Sequence, residues 1–528
     1  MSDLVHDLLF TTARRVPTAE ALVYGAARLD YAGLERCVRG AAALLLGAGI
    51  KARDRIAVYL EKRVEAVAAM FGASAAGAVF VPVNPLLKGE QVVHILADCE
   101  AAVLVTSGER LRQLAGVLAR CPGLRTVIVV GAVPADAASG LPPGCGLLPW
   151  DDGGSDAAGP VPHGAIDADM AAILYTSGST GKPKGVVLSH RNIVAGARSV
   201  AGYLGNHGGD RILAVLPLSF DYGLSQLTTA FHSGAAVVLI NHLFARDIVK
   251  AVAEEGITGL AAVPPLWIQL AQLEWPAGCS LRYLTNSGGA MPGTTVDALR
   301  AVLPGAELFL MYGLTEAFRS TYLPPSELVR RPGSMGRAIP NAEVLVVRPD
   351  GSLCEVNEPG ELVHRGALVS LGYWNDPEKT AERFRPAPGQ DPALPLTEMA
   401  VWSGDIVRRD EDGYLYFIGR NDDMIKVSGY RVSPSEVEEA VHASGLVEEA
   451  VAFGVPHPVL GQAIVLLAVG REAGLTPAAL LKECQRRLPA WMVPAHVEMR
   501  PGPLPRNPNG KFDRPALRTP FTALFESD

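Results

Sequence analysis

The sequence predicts a layered α/β protein that ends in a compact α+β unit, and three observations lead to that fold class. Short apolar runs alternate with helix-like segments over the first two-thirds of the 528 residues, which is typical of strands and helices in layers. Alternating patterns with turn residues from about 332 to 418 predict a small β unit. Hydrophobic residues make up 48% of the chain, so it can bury large cores and is not disordered throughout.

The strand–helix units occur in two series. The first series contains short runs rich in Val, Ile and Ala, which predict buried parallel strands. These runs are 55–60, 79–83, 102–106 and 126–130. Helices are predicted before and between them, at 31–46, 64–76 and 89–98. Strands of the second series are predicted at 211–217, 235–240, 259–263 and 282–287. In such folds ligands bind at the carboxyl ends of the strands.

Two regions interrupt this alternation. Residues 131–169 are rich in Gly, Ala, Pro and Asp and predict a loop or linker. Residues 332–418 predict a small barrel or sheet. After residue 419 the pattern predicts a strand, a helix at 435–444, two strands at 449–455 and 463–469, and a second helix at 477–487. We therefore predict two domains, 1–419 and 420–528.

Composition excludes several functional classes. The chain has 47 Lys+Arg and 55 Asp+Glu, a formal net charge of −8, which disfavours a protein built to bind nucleic acid. No apolar stretch reaches the roughly 18 residues of a membrane span, and residues 1–7 lack the features of a signal peptide. The seven cysteines occur singly, so we expect free thiols, no zinc site and a cytoplasmic location.

The strongest local motif is the run 175–185, Tyr-Thr-Ser-Gly-Ser-Thr-Gly-Lys-Pro-Lys-Gly, between an apolar strand at 170–174 and a helix near His190. Glycines allow backbone N–H groups to approach anionic oxygens, and hydroxyls and lysines can bind a triphosphate. No Ser or Thr follows its lysines, so it is not a Walker loop, and taken alone it also fits a surface turn. The predicted phosphate-binding residues are Thr176, Ser177, Gly178, Ser179, Thr180, Gly181 and Lys184.

Further motifs follow this loop along the chain. They are Tyr-Gly-Leu-Thr-Glu at 312–316, Ser-Gly-Asp at 403–405, Gly-Arg-Asn-Asp-Asp-Met-Ile-Lys at 419–426 and Pro-Arg-Asn-Pro-Asn-Gly-Lys at 505–511. Together, in the same order and over essentially the whole chain, they resemble the adenylate-forming superfamily of acyl-CoA synthetases, adenylation domains of nonribosomal peptide synthetases and firefly luciferase. The run Leu-Ser-Phe-Asp-Tyr-Gly at 218–223 is similar to the AMP-forming acyl-CoA ligases associated with exosortase A systems.

The resemblance implies a reaction in two halves. A carboxylate attacks the α-phosphate of Mg-ATP to give an acyl-adenylate and pyrophosphate, and a thiol then displaces AMP. It also implies that the large N-terminal domain is hinged to a small mobile lid. We therefore expect ATP and Mg²⁺ as cofactors, a carboxylic acid or an amino acid as substrate, and CoA or the phosphopantetheine of an acyl or peptidyl carrier protein as acceptor.

Roles in nucleotide binding follow from the resemblance. Glu316 matches the magnesium-associated carboxylate, and a hard cation prefers oxygen ligands. Asp405 matches the carboxylate that holds both ribose hydroxyls, with Arg420 as a second ribose or phosphate contact. Tyr312 matches the residue that stacks on adenine, although a tyrosine there also fits a core position. Additional nucleotide contacts are expected from Gly288, Gly289, Gly313 and Thr315.

Three further assigned residues lie in the C-terminal lid. Lys511 matches the lysine that bridges the substrate carboxylate and the α-phosphate, whereas a lysine in a Pro/Asn/Gly loop is ordinarily solvated surface. Lys426 lies in the segment that faces the active site during thiolation. Asp422 matches the hinge, where element-terminal residues absorb a backbone rotation. The expected catalytic residues are therefore Lys511, Lys184, Glu316 and Lys426.

Three residues bear on which acid is used. Phe220 and Asp221 look like the Phe-Asp of amino-acid-activating domains, where the aspartate holds the substrate ammonium. Such a carboxylate would penalise plain fatty acids, because it would stay buried and unpaired. Alternatively, Asp221 caps a helix that begins at Gly223. Arg319 is expected to pair with an acidic group of the substrate or with Asp221 itself.

The motifs leave alternatives to an amino-acid-activating ligase. A fatty or aryl acyl-CoA synthetase would use the same machinery without an amino group on its substrate. A luciferase-like oxidative second step also fits the motifs. A catalytically inactive binding protein is disfavoured, since Lys511, Glu316 and Asp405 are all present.

Overall fold

The computed structural model describes residues 4–138, 140–150, 164–176, 183–420, 423–427, 430–457, 460–472, 474–507 and 510–525. These residues form 26 strands and 14 α-helices. The first strands are β1 Glu20–Tyr24, β2 Ala27–Asp30, β3 Arg55–Tyr59, β4 Val79–Pro82, β5 Val103–Ser107, β6 Thr126–Val130, β7 Gly146–Pro149, β8 Met170–Thr176 and β9 Lys184–Ser189. The middle strands are β10 Arg211–Ala214, β11 Ala236–Leu239, β12 Gly259–Ala262, β13 Tyr283–Asn286, β14 Glu307–Tyr312, β15 Thr321–Leu323, β16 Ser334–Ala338, β17 Ala342–Val347 and β18 Gly360–Gly366. The last strands are β19 Phe384–Pro386, β20 Met399–Arg409, β21 Leu415–Arg420, β22 Ile425–Val427, β23 Tyr430–Val432, β24 Val447–His457, β25 Gly461–Gly470 and β26 His496–Met499.

Some of the helices begin at a residue whose polar side chain caps them. Asp30 accepts a hydrogen bond from the Gly33 N–H at the start of the second helix, and Ser189 accepts one from Asn192 at the start of the sixth. The helices are α1 Asp7–Arg15, α2 Tyr31–Gly47, α3 Val64–Ala75, α4 Gly89–Asp98, α5 Gly108–Gln113, α6 His190–Leu204, α7 Asp221–Ser233, α8 Ala245–Glu254, α9 Pro264–Leu270, α10 Gly293–Val302, α11 Pro377–Arg383, α12 Pro434–His442, α13 Pro477–Arg487 and α14 Arg514–Arg518. Among the described residues, none of these helices combines the length and apolar character needed to cross a lipid bilayer.

The first sheet has seven strands in the order β7-β6-β5-β3-β4-β8-β9. It is parallel from β7 to β8, and β9 runs antiparallel to β8. Its central strands are buried along their length, which explains why they appear in the sequence as continuous apolar runs. The phosphate loop connects β8 to β9, and Thr176 pairs with Lys184 at its base.

The second sheet has 14 strands, with the order β17-β18-β20-β21-β16-β15-β14-β13-β12-β10-β11-β1-β2 and β19 beside β20. The neighbouring strands β1, β11, β10, β12, β13 and β14 run parallel to one another. From β14 to the other edge of the sheet at β17, each strand runs antiparallel to its neighbour. The strands between residues 332 and 418 therefore extend this sheet through β15 and β16, as the sheet alternative predicted. β15 pairs with β14 at Tyr312 and with β16 on its other side, so the β-rich segment is joined to the sheet next to the carboxyl end of β14.

The largest apolar core joins the two N-terminal sheets. It contains side chains of both sheets, such as Phe80 and Val237, and of the helices between them, such as Phe71 and Phe231. The rings of Phe71 and Phe231 pack edge to face with centroids 5.2 Å apart. The predicted layered α/β fold class is confirmed by this arrangement.

A separate five-stranded sheet forms the C-terminal unit. Its order is β23-β22-β25-β24 with β26 beside β25, and α12 and α13 contribute Val437, Val441 and Leu480 to its core. The large sheet ends with β21 at Arg420 and this sheet begins with β22 at Ile425. The change of sheet falls next to the predicted boundary at 419/420, which itself stays a prediction.

One segment differs from the sequence-based expectation. The composition of residues 131–169 predicts a loop, but Gly146–Pro149 is a strand that pairs in parallel with Thr126–Val130. The strand is short, lies at the sheet edge and is flanked by Pro and Gly. Its hydrogen bonds to a neighbouring strand, rather than a local apolar pattern, form it.

Candidate active site

The candidate site lies where the parallel strands of the second sheet end. Gly288 follows β13, Tyr312 ends β14, and Asp221 begins the helix after β10. Parallel strands present their carboxyl ends at one edge, so these residues converge there. A Cβ atom on Gly288 would lie 4.0 Å from Phe220 Cζ and 4.0 Å from Lys511 Cε. The C-terminal loop therefore reaches over this edge of the large sheet.

Asp405 is at the centre of the predicted ribose site. It is 6% exposed, its Oδ2 accepts a hydrogen bond from the Tyr312 hydroxyl, and its Oδ1 accepts one from Arg420 Nη1 at 2.8 Å. Burial raises the pKa of Asp405, while the charge of Arg420 and the hydrogen bond from Tyr312 act in the opposite direction. Three residues predicted to bind one nucleotide are thus in direct contact.

Glu316 lies in a short 3-10 turn, Thr315–Ala317, after β14. Its Oε1 accepts a hydrogen bond of 2.5 Å from the hydroxyl of Tyr373, and its backbone oxygen accepts one from the Ser370 N–H at 2.8 Å. Lys184 Nζ lies 5.3 Å from the centre of the Tyr373 ring. Glu316 is therefore a positioned, half-buried carboxylate and not a freely solvated residue at a helix start.

Lys511 is held by the loop that carries it. Its N–H donates to Asn507 Oδ1 at 3.1 Å, and its carbonyl accepts from the Asn507 N–H at 2.8 Å. Arg506 donates to the Gly510 carbonyl at 3.0 Å and pairs with Glu449 at 2.6 Å. These hydrogen bonds hold the backbone of Lys511, while its exposed side chain extends towards Gly288. Burial raises the pKa of Asp221 and of Asp405, and the charge of Lys511 is one of the contributions that oppose this increase.

Asp221 is a buried carboxylate, 4% exposed. The helix begins at Asp221 itself and Phe220 is its N-cap residue, so the alternative of a cap before a helix at Gly223 is wrong. Asp221 Oδ1 accepts a hydrogen bond from Thr315 Oγ1 at 3.3 Å. Burial raises its pKa, and the positive charges of Arg319 and Lys511 partly offset that increase.

Arg319 is also buried, at 1% exposure. Its Nη1 donates to Ser287 Oγ at 3.0 Å, and its guanidinium lies 4.8 Å from the centre of the Tyr222 ring. Of the two pairings expected for it, the one with Asp221 does not form, since the two described side chains make no ion pair within 4.0 Å.

Several predicted residues are placed but have mainly structural contacts. Gly313 lies close to Arg319, and a Cβ there would approach the Arg319 Cα to 3.1 Å. The Gly289 carbonyl accepts a hydrogen bond from Asn286 Nδ2 at 3.2 Å. The remaining phosphate-loop residues 177–182, the hinge residue Asp422 and the side chain of Lys426 lie outside the described residues, so their predicted roles stay predictions.

Two contributors were missed by sequence reasoning. Tyr373 contacts Glu316 from 57 positions along the chain, and Ser287 contacts Arg319 from 32 positions away. Neither lies within a motif that carries the resemblance. Ser287 could have been found from the sequence because it directly precedes the predicted nucleotide-binding residues Gly288 and Gly289.

Comparison with known proteins identifies the family of this site. Residues 9–374 match the AMP-binding enzyme family, and residues 436–511 match the AMP-binding enzyme C-terminal domain. The chain belongs to the AMP-binding enzyme family. The adenylate-forming assignment made from the motifs is confirmed, and the protein is an AMP-forming acid–thiol ligase. The narrower similarity to the exosortase-associated group stays a prediction.

Relatives extend over the whole chain. L-proline–[L-prolyl-carrier protein] ligase of Pseudomonas fluorescens is 32% identical over 527 residues, 97% of this chain and 98% of that protein. One polypeptide of the linear gramicidin synthase from Brevibacillus parabrevis is 30% identical over 98% of this chain, which spans only 10% of that protein's length. The structure of O-succinylbenzoate coenzyme A synthetase from Bacillus subtilis in complex with ATP and magnesium ion superposes with a TM-score of 0.82 at 25% identity, covering 97% of this chain and 99% of that one.

Proposed function

We propose that this AMP-binding enzyme activates an amino acid with Mg-ATP and passes it to the pantetheine thiol of a carrier protein or of CoA. The observation that carries the substrate class is the buried carboxylate of Asp221 beside the position of Lys511. The whole-length similarity to an L-proline–carrier protein ligase supports it.

Asp221 makes no direct ion pair within 4.0 Å among the described side chains, and the ammonium group of the substrate would supply one. An ionised carboxylate taken out of water is costly unless it is paired, and Thr315 contributes only a neutral hydrogen bond of 3.3 Å. An α-ammonium would supply the counter-charge, and its α-carboxylate would then face Lys511. A plain fatty acid offers no cation, so the same pocket would bind it with Asp221 unpaired or protonated.

The nucleotide would lie along the edge formed by Gly288, Tyr312 and Asp405. Asp405 has acceptor oxygens for the ribose hydroxyls, and Tyr312 and Arg420 fix its orientation through their hydrogen bonds. Glu316 fits a role as magnesium ligand, because it is a hard oxygen donor held in place by Tyr373. When bound, Mg²⁺ supplies positive charge to the phosphates. Lys184, at the base of the phosphate loop, would add to that charge.

Lys511 would position the reacting carboxylate for attack on the α-phosphate. Its approach to Gly288 at the edge of the large sheet supports this role. For the second half-reaction, we propose that the C-terminal unit rotates about Asp422 and brings the segment of Lys426 to the same site. The support for this step is the match of these positions to the family's motifs.

A ratio of exchange rates tests the substrate class. ATP–pyrophosphate exchange is measured with amino acids and with fatty or aryl acids of matched size, in wild type, Asp221→Ala and Asp221→Asn. Asparagine keeps the size of the side chain and an acceptor for Thr315 but has no charge. Losing one member of a buried charge pair typically costs about 2–5 kcal/mol, so the ratio of amino acid to matched acid should fall by roughly 30-fold or more in both variants.

The alternatives give different patterns. If Asp221 were only structural, both variants would change the rates for all acids alike and leave the ratio unchanged. If wild type exchanges only with acids that lack an amino group, the amino-acid assignment is wrong and a fatty or aryl acyl-CoA synthetase remains. Amino-acid activity in wild type, together with a collapsed ratio in Asp221→Asn, would support the proposal.

A further inference from the structure

The guanidinium of Arg319 has an unused edge. Nη1 donates to Ser287 Oγ at 3.0 Å, whereas Nε and Nη2 are buried and have no hydrogen-bond partner among the described residues. Nε–H and Nη2–H point the same way along one side of the planar group, which is the side that binds a carboxylate with two parallel hydrogen bonds. A buried charged donor without a partner is costly, so this edge favours an acceptor that the described residues do not supply.

The backbone fixes where this edge lies. Phe318 has φ 55° and ψ −45°, and the Arg319 N–H donates to the Ala317 carbonyl at 2.5 Å, which together make a γ-turn of a strained kind. The buried Phe318 ring packs against Gly196, where a Cβ would come within 2.5 Å of its Cδ1. The turn and this packing set the direction in which the Arg319 side chain leaves the backbone, so the unused edge is preorganised.

The position of Arg319 limits the size of the acid. Ser287, which holds its guanidinium, is followed directly by Gly288, which Lys511 approaches. The two cations that could meet carboxylates therefore lie beside adjacent residues of one segment, which suits a short rather than a long diacid. Asp221 is engaged by Thr315 and makes no ion pair with Arg319 within 4.0 Å, so it does not fill the unused edge.

We propose that the substrate carries a second carboxylate, which binds the Nε–Nη2 edge of Arg319. This inference rests on the proposed function, and with it the substrate class is a short acidic amino acid. The α-carboxylate faces Lys511, the ammonium pairs with Asp221, and the side-chain carboxylate is held by Arg319. Arg319 thus determines specificity and takes no part in the bond changes.

Four non-reactive adenylate analogues separate these contacts. They are the 5′-O-(N-acylsulfamoyl)adenosines of glutamate, norvaline, glutarate and pentanoate, which have five-carbon chains and differ only in the amino group and the distal carboxylate. Their dissociation constants are measured by calorimetry on the full chain, in wild type, Arg319→Met, Arg319→Lys and the control Arg300→Met. Arg300 is exposed on α10, so its replacement should change none of the four.

We expect wild type to bind the glutamate analogue about 30-fold or more tightly than the norvaline analogue. Arg319→Met should lose this preference and keep its affinity for the norvaline analogue. Arg319→Lys should recover only part of it, because an ammonium cannot make the paired hydrogen bonds. Equal binding of the glutamate and norvaline analogues by wild type would overturn the inference and leave the amino-acid proposal intact.

The two analogues without an amino group separate the two proposals. If glutarate binds more tightly than pentanoate, and the amino group adds nothing, the carboxylate site stands and the amino-acid proposal fails. Tightest binding of the pentanoate analogue would refute both. These comparisons use wild type alone, so they remain decisive even if a variant of Arg319 folds poorly.

Discussion

Replacing Lys511 with alanine tests the placement of the C-terminal loop over the sheet edge. In the structure Lys511 is exposed, yet its Cε lies 4.0 Å from the position of a Cβ on Gly288. Its backbone is held by Asn507 through hydrogen bonds that do not involve the lysine side chain. The substitution should therefore leave the loop in place and change stability by no more than about 0.5 kcal/mol, as for other exposed sites.

The expected effect on catalysis is much larger. Negative charge moves onto phosphate oxygens as the carboxylate attacks, and a fixed positive charge at that point acts mainly on the transition state. Loss of one such contact costs about 2.7–4 kcal/mol, or roughly a hundredfold to a thousandfold in rate. The adenylation rate of Lys511→Ala should fall by this factor, whereas thioester formation from a supplied acyl-adenylate should stay near wild type.

Both half-reactions can be measured separately. Pyrophosphate exchange reports adenylation, and release of AMP from a synthetic acyl-adenylate in the presence of thiol reports the second half. Lys482→Ala, which replaces a lysine on α13 of the same C-terminal unit, is the matched control and should behave as wild type in both. An equal loss of both half-reactions in Lys511→Ala would refute the assignment of this lysine to adenylation, and no loss in either would remove it from the site.

Two further predictions concern the hinge and the response to acid. Asp422→Pro should spare adenylation far better than thioester formation, because proline fixes φ near −65° and confines a hinge to one state; wild-type rates in both steps would mean that the hinge lies elsewhere. Burial lowers the pKa of His364 to about 4, so its neutral form stabilises the fold above a pH of about 6.5, and this stability is lost as pH falls from there towards 4. Between about pH 7 and pH 5, the free energy of unfolding measured with urea should therefore fall by about 2 kcal/mol less in His364→Gln than in wild type. An equal fall in both proteins would contradict the reasoning.

The buried parallel strands were predictable because their burial leaves a continuous apolar pattern. Strand Thr126–Val130 and helices Gly89–Asp98 and Pro477–Arg487 have the predicted bounds. The hairpin formed by Glu20–Tyr24 and Ala27–Asp30 was not predicted, since Ala27–Asp30 is an exposed or half-buried edge strand without an apolar pattern. The hairpin joins the large sheet through the pairing of Glu20–Tyr24 with Ala236–Leu239, far along the chain, which a local pattern does not contain.

In the candidate site, too, residues within motifs could be predicted from the sequence, whereas contacts between distant residues could not. The motif residues Tyr312, Asp405 and Arg420 could be assigned together through the resemblance, and the structure places them in contact. The hydrogen bond from Tyr373 to Glu316 joins residues 57 positions apart, and its formation depends on how the extension of the sheet folds back over the 3-10 turn. Sequence motifs therefore give the chemistry of the site, while the groups that orient it follow from tertiary structure.

Charge balance in the acid pocket connects the two substrate proposals. Asp221 and Arg319 are buried opposite charges, and each has a neutral hydroxyl partner, Thr315 and Ser287. Counted as ions, Asp221, Arg319 and Lys511 sum to a single positive charge. An acidic amino acid carries two carboxylates and one ammonium, a single negative charge, so it would neutralise the pocket and also supply a counter-charge to each side chain. A neutral amino acid would pair Asp221 but leave the Arg319 edge unpaired, and a fatty acid would give neither side chain a direct ionic partner. The preference for a second carboxylate thus follows from the same desolvation argument that requires the ammonium.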